Sequence, residues 1–138
     1  MKSNQINSNE QPPATSVSDS RDHPCIGHDV NAAAFAVRTD DGLSYLLPFA
    51  QFLYAKRTAN PALEKAPEAP PEKMSIHFVG AEVVVLGSGL KRLESWLQRY
   101  ELSFVMPADS RLSAVYDTLV TTVTLTLTKE NVRLLIHR

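Results

Sequence analysis

Hydrophobic positions recur every second residue over much of this chain. Phe35 and Val37 alternate with Ala36 and Arg38, and after Asp40-Asp41-Gly42 the alternation resumes with Leu43, Tyr45 and Leu47. Gly accepts the positive φ of a tight turn, so Asp-Gly between two such runs predicts a β-hairpin. Pro48 ends the second strand or places it at an edge. Further on, Met74, Ile76 and Phe78 alternate with Ser75 and His77, and a turn at Gly80-Ala81 leads into the apolar run Val83 to Leu86. A continuous apolar run predicts a strand buried on both faces. Leu102, Phe104 and Met106 form another short alternation before Pro107. Leu119 to Thr128 sets Val123, Leu125 and Leu127 against Thr122, Thr124, Thr126 and Thr128. That pattern is a half-buried strand with a threonine face toward water. Val132, Leu134 and Ile136 suggest a last strand.

The period changes once to that of a helix. Leu90, Leu93, Leu97 and Tyr100 form one stripe, widened by Trp96, while Lys91, Arg92, Glu94, Gln98 and Arg99 cover the opposite side. This predicts a helix from Ser88 to Tyr100, with Ser88 as its N-cap. Residues 49–57 are ambiguous: Phe49, Phe52 and Leu53 sit at helical spacing, the segment is short enough to continue the strand, and a short helix or turn is the favoured reading. Residues 60–73 hold Pro61, Pro67, Pro70 and Pro71 and read as a Pro-rich loop. Five to seven strands around one main helix, with hairpins before it and strands after it, give an α+β domain built on a largely antiparallel sheet.

Composition changes this picture at the N-terminus. Residues 1–30 are dominated by Ser, Asn, Gln, Pro, Thr and Asp, and bury too little to offset the entropy of ordering. They read as a disordered arm ahead of one domain at 31–138. The 138 residues carry one cysteine, so no internal disulfide forms. No apolar block follows Lys2, and no run is long enough to span a bilayer. A reducing compartment, the cytoplasm by default, is the expected setting, with no membrane partner. A net charge of −1, spread without blocks, argues against nucleic acid as a partner. A basic face assembled by the fold from Arg38, Lys56, Arg57, Lys91, Arg92 and Arg99 is the one route to it.

Candidate chemistry is sparse. Gly87-Ser88-Gly89 between a strand and a helix, followed by Lys91 and Arg92, has the makings of a phosphate cradle, because free N–H groups and the helix dipole favour an anion there. Asp109 stands where a ribose-binding acid would. Arg92 occupies the place of the third small residue, however, and the flanking hairpins are not βαβ units. The plainer reading is a tight strand-to-helix corner. Asp22, His23, Cys25, His28 and Asp29 are metal-ligating types, but they form one cluster without the paired spacing of a structural zinc site, so no metal is expected. His77 falls on the polar side of its strand and reads as a surface histidine. Ser88, flanked directly by glycines, lacks the spacing of a nucleophile elbow. Glu94 and Glu101 read as solvated helix charges. No catalytic residue and no cofactor are assigned, and an enzyme is not the favoured class.

Two surfaces suit partners. The strand carrying Thr122, Thr124, Thr126 and Thr128 would pair with another chain if it lies at a sheet edge. Phe49, Phe52 and Tyr54, with Tyr45, exceed what a small core needs, and the surplus suits an interface. The expected function is therefore a non-enzymatic interaction module, self-associating or binding a protein partner. The alternative is a small domain binding a phosphorylated ligand at the Gly87–Arg92 turn.

Overall fold

A computed structural model describes residues 23–128. The expectations for residues 1–22 and for a strand around Val132, Leu134 and Ile136 lie outside the described residues. Among the described residues the fold is α+β and largely antiparallel, with eight short strands in two four-stranded sheets and one α-helix. The first sheet has the order β1(Ile26–His28), β7(Leu102–Val105), β2(Ala34–Arg38), β3(Ser44–Pro48). Its β2–β7 pair is parallel, and the other pairs are antiparallel. The second sheet, β4(Phe52–Ala59), β5(Glu72–Phe78), β6(Ala81–Ser88), β8(Leu119–Leu127), is antiparallel throughout. The helix α1 covers Lys91–Gln98 and packs against β4 and β7.

The predicted hairpin is β2–β3, closed by a loop in which Gly42 adopts a φ of 86°. The second hairpin, β5–β6, turns through Val79 and Gly80. Two strands depart from the favoured sequence reading. β1 falls inside the expected disordered arm, which corrects the boundary: Cys25 and Ile26 are fully buried, and Ile26 pairs with Val105. β4 follows a single 3₁₀ turn at Phe49–Gln51, where a short helix or turn was expected to fill residues 49–57. The loop after it contains a short 3₁₀ turn at Pro61–Glu64 and gives way to β5 at Glu72.

The helix is shorter than its pattern. Ser88 remains in β6 opposite Leu119 and is not the N-cap, a position taken by Leu90. Leu90, Leu93 and Leu97 are buried as expected, each contributing roughly 1.5–3 kcal/mol by leaving water. Tyr100 does not continue the stripe. It stands at φ 58° just past the helix, its N–H donating to the Leu97 carbonyl and that of Glu101 to the Trp96 carbonyl. This is a Schellman ending with a tyrosine where glycine is usual. The β6 run is also not buried on both faces: Val83 and Val85 enter the core, whereas Val84 and Leu86 are half-buried on the outer face.

Candidate functional site

The position of a docking site is set by which strand edges are open. The two-residue loop Val79-Gly80 makes Phe78 and Ala81 a hydrogen-bonded pair. Bonding direction alternates along antiparallel strands, so Phe78, Ile76 and Met74 bond toward β6, and His77, Ser75 and Lys73 toward β4. Their β4 partners, Tyr54, Lys56 and Thr58, therefore point inward. Asn60 continues the series, donating its N–H to the Pro71 carbonyl. It follows that Ala55, Arg57 and Ala59 direct their N–H and C=O groups outward, where no strand of the described residues meets them.

The opposite edge, β8, is occupied. The Val120 N–H donates to the Cys25 sulfur at 3.3 Å, and the Val120 carbonyl accepts from Ala108. Val123 bonds Asp40 twice: its carbonyl accepts from the Asp40 N–H at 2.9 Å, and its N–H donates to the Asp40 carboxylate at 2.8 Å. Thr122, Thr124 and Thr126 pair with Leu86, Val84 and Glu82, and so belong to the outer face of the sheet. Only the stretch around Leu125 extends past these contacts. Thr128 donates its N–H to the Gly80 carbonyl.

Beside the open β4 edge runs a groove of about 430 Å³ between β4 and α1. Phe52, Ala55 and Leu97 supply its apolar surface, and Lys91, Glu94, Ser95 and Gln98 its helical wall. Glu94 is held by Arg57 at 3.2 Å. Tyr54, also at the groove, is 53% exposed and stacks on His77 with ring centres 4.3 Å apart. His77 is in turn 3.6 Å from Glu82. Of the three aromatics expected at an interface, Tyr54 and Phe52 reach this surface. Phe49 does not: it is buried, stacked between Phe35 at 6.2 Å and Tyr100 at 5.3 Å.

The glycine turn is filled by the chain itself. A Cβ on Gly87 would stand 2.0 Å from the Leu119 carbonyl oxygen, and one on Gly89 1.9 Å from that of Asp117. The Gly89 carbonyl accepts from the Thr118 hydroxyl. The Leu90 N–H, which would greet an anion, donates to the Glu72 carboxylate at 2.9 Å. Arg92 lies over the Trp96 ring at 6.0 Å, and Lys91 faces the groove. Thus Gly87, Ser88 and Gly89 form a corner, Glu72 holds the anion position, and Lys91 serves a different surface.

The His/Cys cluster is dispersed. His23 Nδ1 accepts from the Cys25 N–H at 3.2 Å, and its Nε2 lies 3.1 Å from the Thr118 carbonyl. His28 instead meets Glu101 at 2.7 Å beside Trp96. The His28 contact is the main cause holding the Glu101 carboxyl below its ordinary value. Burial raises the Cys25 thiol above its ordinary value, opposite to what a reactive thiolate needs. Among the described residues no three His, Cys, Asp or Glu side chains are grouped to hold a metal ion, and no helix is long and apolar enough to cross a membrane.

The sequence reading missed Ala55, Glu94, Leu97 and the open ladder of β4. The exposed pair Leu53-Tyr54 followed by Lys56-Arg57 was the available signal, since edge strands often carry such cations. No family model, curated protein or solved structure matches this chain.

Proposed function

We propose that this chain is a non-enzymatic interaction module that accepts an extended segment of a protein partner on the edge of β4. The observation that carries this reading is the outward ladder of Ala55, Arg57 and Ala59 lying directly beside an apolar groove. Strand addition takes affinity from main-chain bonds and specificity from pockets for alternate side chains, and this edge offers both. The competing edges are less suited: β1 has three residues, and β3 has five and ends in Pro48. A second copy of the chain fits the edge less well, because antiparallel β4–β4 pairing brings both Lys56 ammoniums to the same face of the seam. The buried lone thiol suits a reducing compartment such as the cytoplasm. The reading with a phosphorylated ligand lacks support, since Glu72 already caps the helix start.

The test is selection of a displayed random-peptide library on the full chain, with the binders re-measured on Ala55→Pro and Ala59→Pro. Each substitution deletes an outward N–H that bonds nothing in the sheet, and proline is tolerated at such edge positions. Binding weaker by about tenfold, or about 1.4 kcal/mol, in either folded variant is the expected result. Binders indifferent to both would refute strand addition. Light scattering after size exclusion should find a monomer. A dimer that Ala55→Pro dissolves would instead make a second copy the occupant.

A further inference from the structure

We infer that the segment taken by β4 is acidic, with apolar and acidic residues in alternation. This rests on the strand-addition reading and adds the chemistry of the partner. Register dictates the alternation. In an added antiparallel strand, residues opposite Ala55 and Arg57 share their face, the one turned toward α1. There they meet the apolar surface of Phe52, Ala55 and Leu97. Residues opposite Lys56 lie on the other face, beside its ammonium.

Charge dictates the acidity. Two cations and one anion stand at the groove, Lys91 and Glu94 on its helical wall with Arg57 beside Glu94, while Lys56 lies on the opposite face of the edge strand. Arg57 and Glu94 satisfy each other, 3.2 Å apart. Among the described residues neither Lys56 nor Lys91 is in an ion pair, and both are exposed, one on the strand and one on the helix. Lys73, opposite Thr58, adds another cation to the outer face beside Lys56. On that outer face a basic segment would set like charges directly across the strand pair from Lys56, which destabilises it, whereas carboxylates there would complete a pair with Lys56. The local excess of positive charge stands out against a chain whose net charge is −1.

The test uses two synthetic peptides of about eight residues with blocked ends, one alternating Val and Asp and the other Val and Lys, a length that matches the β4 edge. Anisotropy titrations with the full chain should show the Val–Asp peptide binding about tenfold or more tightly than the Val–Lys peptide. The advantage should shrink in about 0.5 M salt, where exposed charges are screened. It should reverse in the Lys56→Glu variant, whose exposed position leaves the fold intact. Equal affinity for both peptides, or preference for Val–Lys, with binding lost in Ala55→Pro, would overturn the acidic partner while leaving strand addition standing. Absence of binding by either peptide, or binding that persists in Ala55→Pro, would overturn strand addition and the acidic partner together.

Discussion

Between β6 and α1 the chain reverses within two residues, and the atoms packed there explain its glycines. Gly89 has a φ of 62°, and its missing Cβ leaves room for the Asp117 carbonyl. An alanine would have to adopt the left-handed region and displace backbone. Gly89→Ala is therefore expected to lower unfolding free energy by about 1–3 kcal/mol, measured by urea denaturation. A phosphate cradle predicts a different outcome, lost ligand affinity with stability preserved, so the same variant separates the two accounts of the turn. The glycines were legible in the sequence as a corner. Glu72 was not, because its bond to the Leu90 N–H spans 18 positions and no local pattern marks a side chain that caps a helix from another strand.

The strands differ in how plainly the sequence announces them, and the difference is physical. β8 buries one face along most of its length, so its valines and leucines alternate with threonines. β4 lies at an edge with a bulge between Phe52 and Tyr54, and its second half is exposed on both faces. A strand with little to bury leaves no period of two, which is why the element bearing the candidate site was the hardest to foresee. β1 is too short to show any period, and its register is fixed by pairing with β7. The occupied state of the β8 edge was equally hidden, since Asp40 reaches Val123 across 83 positions. A carboxylate accepting from a partly buried backbone N–H should contribute roughly 1.5–3 kcal/mol. Asp40→Ala is expected to lose about that amount in thermal or chemical denaturation and to speed exchange of the Val123 amide. Asp40→Asn, which keeps an acceptor, should recover part of both.

At the scale of the whole molecule, both sheets and α1 feed one core, with Phe35, Phe49 and Phe78 stacked between them. The first of the described residues are tied to the rest of the fold through polar contacts, His23 with Cys25 and Thr118 and His28 with Glu101. His23 sits beside Tyr116 and accepts a bond from the Cys25 N–H, and burial is the main cause holding its pKa below the ordinary 6.5. The charge of Arg92 pushes in the same direction, and the bond to the Thr118 carbonyl opposes it. Protonation would also place an N–H on Nδ1 against the Cys25 N–H. Because the unfolded chain binds this proton more readily than the native one, stability rises with pH through the window below 6.5 and is lost as acid is added. Glu101 behaves alike at lower pH: its carboxyl is held below the ordinary 4.5, chiefly by the His28 bond, so its contribution is present above 4.5 and fades as pH falls through the depressed folded value. The melting temperature should therefore decline in two stages as pH is lowered from 7.5, one beginning near 6.5 and a second below 4.5. His23→Gln keeps a polar side chain without a titrating ring and should abolish the first stage while leaving the second. A first stage that survives in His23→Gln would mean that another group governs the acid sensitivity, and that the His23–Cys25 contact is not what anchors the start of the fold.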